Sequence, residues 1–512
     1  MPAEVLQIKK QKMNNKYIQL LSRIRLTGAL ILFLGASLTA QKYDYNWVLG
    51  MHEFPGLAGF NNVILHFSDQ GVDIEETDLK MNFESTVVSM SDSLGHLIFY
   101  SNGCYVADVD GNPMSGGLEL NPGEIHDWVC DKAGYIAPKG AMAVKMPGST
   151  NTYLLMHMGG RYDPAKKIKF GPLYYSVIDM ALNGGKGAVT SVNNILTDGN
   201  LEPFSATRHG NGRDWWIVVP VYGGSEYRSF LVTPNAILGP FMQQIGSTMN
   251  CRSIGTSAFS LDGSKFVRTQ NCQVATFDFD RCSGVFSNPT LLDLPNHLVG
   301  GGGAAFSPDN QRLIFCSQLQ IFEANLSEAF PRLDSSFLWN YQWAVSLQNM
   351  QYSPNGQILM SHMHRTNYLS TIEYPSEKGA NMSFKPKGLS LPVFSVRSLP
   401  NNPNYRLFDL PDSPCDTLGI NSPMVNTTIL NSELTNKLLI SPSPSTSEVL
   451  VSIQAQEKGT WALVDLSGKT ILSGNWNGTS KVLNLGGMPR GIYFFLLKIN
   501  NGKILRGKLI LI

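Results

Sequence analysis

Apolar residues along this chain come in short bursts separated by Gly, Pro, Asn, Asp and Ser, without the spacing of a long amphipathic helix. Three bursts align: AFSLDGSKFV at 258–267, AFSPDNQRLIF at 305–315 and MQYSPNGQILM at 350–360. In each, one strand runs into Ser-x-Asp/Asn, reverses tightly and continues as a second apolar strand. Their aromatic positions, Phe259, Phe306 and Tyr352, are 47 and 46 residues apart. A period of that length suits four strands and their turns, which is one blade of a β-propeller. A second hairpin of the same blade is predicted in VATFDFDRCSGVFSNP, with its turn at Asp280–Gly284. Looser relatives at 90–111, 144–158 and 208–224, with strand material at 46–67, bring the expectation to about seven blades. A two-sheet sandwich is the alternative for an all-β chain, but it does not account for a sustained period.

Around residue 400 the pattern dissolves into Pro, Asn, Ser and Asp, predicting a linker that packs partly on the propeller rim and then runs free. From Leu438 the bursts return at closer spacing: LLIS, EVLVSI, TWALVD, KTILS, KVLNL, GIYFFLLKI and KILRGKLILI. Turns are expected at 465–468 and 500–502. These seven runs predict a small immunoglobulin-like β-sandwich. The expected fold is therefore all-β: a propeller over 41–405, a linker over 406–437 and a sandwich tail over 438–512.

Composition supports many strands and tight turns: of 512 residues only 15% are charged, while Gly numbers 48 and Pro 28. At the N-terminus Lys16, Arg23 and Arg25 precede an apolar run from Leu26 to Leu38, followed by Thr39 and Ala40. This predicts a secretory signal peptide over 1–40, since the run is shorter than the roughly 20 residues of a spanning helix. Residues 1–40 carry net +5 and the tail net +5, so in a chain of net +1 the body is at −9. An exported chain of that balance offers no general case for nucleic acid. All seven cysteines lie beyond the signal, where an oxidising compartment permits disulfides. Closeness in sequence suggests Cys104 with Cys130 and a pair among Cys251, Cys272 and Cys282, and an odd count leaves at least one thiol unpaired.

The succession SPSPSTSEVLVSI, WALVDLSGKTIL, LNLGGMPRGIYFFLLKINNGK and GKLIL resembles the C-terminal sorting domain of the type IX secretion system of Bacteroidota. The family's Asp-x-x-Gly turn matches Asp465 and Gly468, its Gly-x-Tyr matches Gly491 and Tyr493, and its late Lys matches Lys508. Its usual Pro-Asn-Pro opening is here Ser441-Pro442-Ser443-Pro444. The resemblance implies passage through the inner membrane by the signal peptide, folding in the periplasm and export across the outer membrane with the tail as address. The tail is then typically removed, and the cargo is released or attached to lipopolysaccharide. Type IX secretion machinery is thus the implied partner. The body segments FDFDRCSGVFSNP and LPNNPNYRL also resemble propeller cargo of this system, a group without a well-defined activity to carry over.

Chemistry is harder to find. Gly-x-Ser-x-Gly, His-Glu-x-x-His, Cys-x-x-Cys and dinucleotide glycine signatures do not occur, so no cofactor and no catalytic residue is assigned and enzymatic activity is disfavoured. SGKT at 467–470 reads as a hairpin turn, because the glycine a phosphate loop needs is replaced by Leu463. VGGGGAAFSPD at 299–309 reads as a crowded innermost strand, His362 and His364 as packed or channel-lining residues, and DVDGNPMSGG at 108–117 as an Asp-Gly hairpin. EIHDWVC and ATRHGNGRDWW place His126, Trp128, His209, Arg213 and Trp215 among Arg208, Asp127 and Asp214. Such mixtures suit a glycan or protein ligand, with Trp stacking and charged groups fixing orientation, and they suit blade packing equally well. The expected function is a secreted or surface binding propeller. A hydrolase acting on polysaccharide or peptide at the propeller mouth is the alternative.

Overall fold

The computed structural model describes residues 41–52, 59–68, 70–249, 251, 254–270, 272–293, 302–317, 320–328, 333–334, 347–373, 375, 382–418, 438–441, 447–465, 469–500 and 504–511. The expected signal peptide over 1–40 lies outside them. The chain divides into two compact units, 1–423 and 424–512.

Unit 1 is a ring of seven antiparallel sheets: 46–77, 88–108, 141–197, 205–244, 254–293, 304–334 and 347–395. These are blades 1 to 7, the first two with three strands among the described residues and the others with four. The first strands of blades 1 to 3 lie side by side, as do those of blades 4 to 7, and the outer strand of blade 7, Ser383–Ser395, packs on the first two strands of blade 1. The three aligned sequence segments are the first hairpins of blades 5, 6 and 7. Their turns share one device. Ser260 Oγ donates to Asp262, Ser307 Oγ to Asp309 and Ser353 Oγ to Asn355, each locking a tight reversal. Asn310 Nδ2 then donates to Asp262 Oδ2 at 2.7 Å, tying the turn of blade 6 to that of blade 5.

Near the axis the strands are too close for side chains. A Cβ on Gly302 would lie 1.7 Å from the Cys316 carbonyl oxygen, and one on Gly303 2.1 Å from the Met350 nitrogen. The Gly303 N–H instead donates to Gln348 O at 2.9 Å, joining blades 6 and 7 directly. This is the crowded inner strand expected of the glycine run, of which 299–301 lie outside the described residues. Away from the axis the blades are held by apolar clusters that cross from one to the next. One cluster, with Trp47, Leu65, Tyr100, Leu369 and Val393, unites blades 1, 2 and 7. Trp47 is wholly buried, 4.8 Å from the Phe67 ring, and donates its indole N–H to Asp44 O. Truncating such a residue costs about 3–5 kcal/mol.

Three disulfides are present: Cys104–Cys130, Cys251–Cys272 and Cys282–Cys415. The first is the pair that closeness suggested, and the second comes from the expected trio. The third spans 133 residues and leaves Cys316 as the buried free thiol.

Unit 2 is a five-stranded β fold around one apolar core with Trp461, Leu463, Trp476, Phe495 and Leu509. Seven runs become five strands because two pairs fuse. EVLVSI and TWALVD form one strand, Glu448–Val464, and KTILS and KVLNL another, Thr470–Asn484. The two long strands pair with each other, and after a bulge the polar stretch between the bursts stays hydrogen-bonded from Glu457 opposite Gly478. The remaining strands are Leu439–Ser441, Gly491–Ile499 and Ile504–Leu511, the last two paired throughout.

Two predictions follow from the interior. His157 is buried, its Nδ1 2.8 Å from Asn121 Oδ1 and its Nε2 2.8 Å from Ser176 Oγ, and burial pushes its pKa down to about 3. The unfolded chain binds a proton near pH 6.5 that the folded chain refuses, so this contribution is complete above pH 6.5 and is lost as pH falls toward 3. His362, pushed down to about 4 by burial, acts in the same direction. Urea midpoints should fall between pH 6.5 and 5 with a slope of up to about 1.4 kcal/mol per unit from each histidine, and His157→Gln should flatten that slope. The Cys316 thiol is pushed up to about 12 by burial. Ellman's reagent should find one thiol per chain after denaturation without reductant and almost none before it.

Candidate functional site

After blade 7 the chain does not leave the ring. Residues 401–415 form a strap across one end of the axis. Asn401 Nδ2 donates to Lys139 O and Phe204 O, Asn404 Nδ2 to Leu261 O at 2.6 Å, and Tyr405 Oη to Ala143 O at 2.6 Å. These acceptors belong to the inner ends of blades 3, 4 and 5. Arg406 grips Asp44 through two bonds of 2.6 and 3.0 Å, joining the chain after blade 7 to the chain before blade 1. Burial works against the Arg406 charge, but Asp44 outweighs it and raises the guanidinium pKa. Arg281 donates to the Phe408 and Arg208 carbonyls, and the Cys282–Cys415 disulfide anchors the end of the strap beside it.

Beneath the strap lies a small axial cavity of about 60 Å³ lined by Asp44, Lys139, Ser257, Met350, Gln351 and Asn402 with neighbouring inner-strand residues. Its one lining carboxylate is Asp44, already bound by Arg406. Lys139 is 3% exposed, and its Nζ donates to Met350 O at 2.5 Å and Gln351 Oε1 at 3.1 Å.

The residues singled out in the sequence fall into two groups. His126 and Trp128 sit on the short helix Glu124–Val129, where Trp128 is 50% exposed and His126 Nδ1 lies 3.4 Å from Asp127 Oδ1. His209 is buried, its Nε2 3.0 Å from Cys282 O and its ring against Trp216. Trp215 is wholly buried beneath the Arg208 guanidinium, 3.8 Å away, and edge-on to Tyr405. Arg213 pairs with Asp214 through Nε at 2.7 Å. His209, Arg213 and Trp215 are thus brought together around the strap anchor, where Trp215 offers no face to a ligand. His126 and Trp128 share a different surface. His362 is buried at the end of its strand while His364 is exposed, and no cluster able to hold a metal occurs among the described residues. Asp108 Oδ1 accepts from the Asp110 and Asn112 N–H groups, which makes its loop a hairpin turn. Arg406, Asp44 and Arg281 were missed by sequence reasoning. The available signals were LPNNPNYRL, a polar segment following a finished blade, and Cys415, isolated from every other cysteine.

In unit 2, Asp465 Oδ1 accepts from the Lys469 N–H at 3.0 Å across the expected turn, whose Gly468 lies outside the described residues. Gly491 opens the strand Gly491–Ile499. Tyr493 is buried and donates its hydroxyl to Pro489 O at 2.6 Å, and Lys508 pairs in register with Phe494. Residues 439–512 match the secretion system C-terminal sorting domain family. The chain is a substrate of the type IX secretion system. Its destination is the outer surface or the extracellular space, and no helix among the described residues is long and apolar enough to cross a membrane.

No curated protein matches the exported chain. Solved structures similar to it include a provisionally assigned 6-phosphogluconolactonase from Bacteroides fragilis, at 13% identity over 68% of this chain and 96% of that one, with a TM-score of 0.38. A functionally unknown protein from Desulfotomaculum acetoxidans follows at 12% over 69% and 98%, with a TM-score of 0.35. Hsv2p of Kluyveromyces lactis is similar at 8% over 70% and 98%, with a TM-score of 0.34. At that distance none of them bears on activity.

Removing residues 438–512 should abolish export. In a host with an intact type IX system, fractionation should find the full chain at the surface or in the medium and the truncated chain in the periplasm. Equal surface delivery of both would count against the tail as address.

Proposed function

We propose that the exported body is a binding module that engages its ligand at the rim of the propeller. A signal peptide over 1–40 would start its route in a bacterium of the Bacteroidota. The working parts are then the propeller over 41–405, the linker over 406–437 and the sorting domain over 438–512. The observation that carries this reading is the outer strand of blade 4, Ile237–Gln244. There Leu238, Phe241 and Met242 are 45%, 45% and 66% exposed. Val285, also exposed, lies on the Phe241 side of the strand, where Gln243 Nε2 donates to the adjacent Gly284 O, while Met242 points to the other face. Exposed apolar side chains along an outer strand favour a protein partner. Pro240 denies this edge one ladder donor, so recognition rests on side chains more than on strand addition. A glycan is the second reading, supported by the half-exposed Trp128 beside His126 and Asp127, an aromatic face with polar neighbours.

A hydrolase at the propeller mouth is the less supported class. It would need paired carboxylates about 5 to 9.5 Å apart in an open channel. The strap crosses that mouth, and the carboxylate beneath it is committed to Arg406.

The test is capture by the immobilised exported protein, with cross-linking to outer-membrane and extracellular proteins in one arm and a glycan array in the other. Phe241→Asp with Met242→Asp should reduce protein capture at least about tenfold with unchanged melting temperature. Trp128→Ala should spare it and should lower any glycan signal. Polysaccharide or peptide hydrolysis by the purified chain would replace this reading with the enzymatic one.

A further inference from the structure

The axial cavity is rich in donors and short of acceptors. Lys139 is buried without a carboxylate partner, and two of its three N–H groups are used on Met350 O and Gln351 Oε1. Ser257 is 2% exposed, and its Oγ has no hydrogen-bond partner among the described residues. The buried amide nitrogen of Asn402 likewise has none. All three line the same cavity, which holds two cations, Lys139 and Arg406, against the single carboxylate of Asp44. Leaving a buried donor unmade costs about 1–3 kcal/mol, and more for a charged one.

We propose that this cavity is a binding site for a small monovalent anion, a halide or formate, held by Lys139 Nζ, the Ser257 hydroxyl and the Asn402 amide. Size and donor pattern both lead there. A volume of about 60 Å³ gives room for a small ion or a few water molecules beside the three donors. Water alone fits the donor pattern poorly. Each water brings two hydrogens of its own, and the lining groups left unpaired are chiefly donors. An anion accepts from all three and supplies the missing charge. Burial pushes the Lys139 ammonium down to about 8, as expected of a cation held without its counter-ion. The strap supplies Asn402, so the anion would bind only to the closed ring and stabilise it by linkage. The site is independent of the rim reading.

The experiment uses the full exported chain in gluconate buffer, a bulky and weakly associating anion, with chloride, formate or phosphate substituted at constant ionic strength. Chloride and formate should raise the melting temperature saturably, by about 3 °C at a hundredfold excess over Kd. Phosphate should produce only the unsaturable rise of an excluded salt. Lys139→Met should remove the saturable part, and Ser257→Ala should raise the half-saturating concentration about tenfold. Equal responses in the variants, or no saturable response in the wild type, would overturn the site. Should Lys139→Met not fold, Ser257→Ala and a crystal soaked in bromide decide: an anomalous peak among the three donors supports the site, and its absence means that the cavity holds water.

Discussion

The bidentate pair between Arg406 and Asp44 closes the ring. A propeller is a row of similar sheets that must be joined at its ends, or its first and last blades expose their faces to water. Here the outer strand of blade 7 packs on blade 1, and the Arg406–Asp44 pair fastens that junction across 362 residues of sequence. Its energetics follow from where it sits. Asp44 leaves water at a cost, the two parallel bonds return most of it, and losing Arg406, whose side chain stays 32% exposed, would strand the buried carboxylate. The pair therefore acts as a requirement on the ring more than as a net gain in stability. Tyr405, Asn401 and Asn404 extend the same fastening to the inner ends of blades 3, 4 and 5.

What was legible in the sequence was local. The Ser-x-Asp/Asn hairpins could be recognised because their hydrogen bonds span two residues and their spacing repeats. Glycine crowding before Ala304 was legible for a similar reason, since a small-residue run beside a blade motif has few other uses. The strap was not legible, because its meaning lies in contacts up to 362 residues away that leave no periodic trace. Cys282 shows the same limit, since proximity pointed to Cys251 or Cys272 while the ring brought it to Cys415. In the tail, alternation breaks at QAQEKG, and EVLVSI and TWALVD were expected as separate strands. Pairing resumes at Glu457 after the bulge because a two-strand ladder needs only a partner backbone.

The candidate site divides along the same line. Trp215 and His209 stood out as aromatic and titratable residues in a charged setting, but that setting is the anchor of the strap. The Arg208 guanidinium over Trp215 is packing, held by Arg213 O and Gln41. Trp128 stood out for the same chemical reasons and remains at the surface. Composition cannot separate these two tryptophans, because the difference lies in which neighbours the ring closure delivers to each.

The position of the last disulfide has a consequence for maturation. Among the described residues, the bonds that fasten the ring are made by residues up to Cys415, and the sorting family match begins at 439. A protease that cut between them would shorten the chain without touching any of those bonds. Delivery and durability are thereby carried by separate stretches of chain: a body that lost its address would keep each of those bonds.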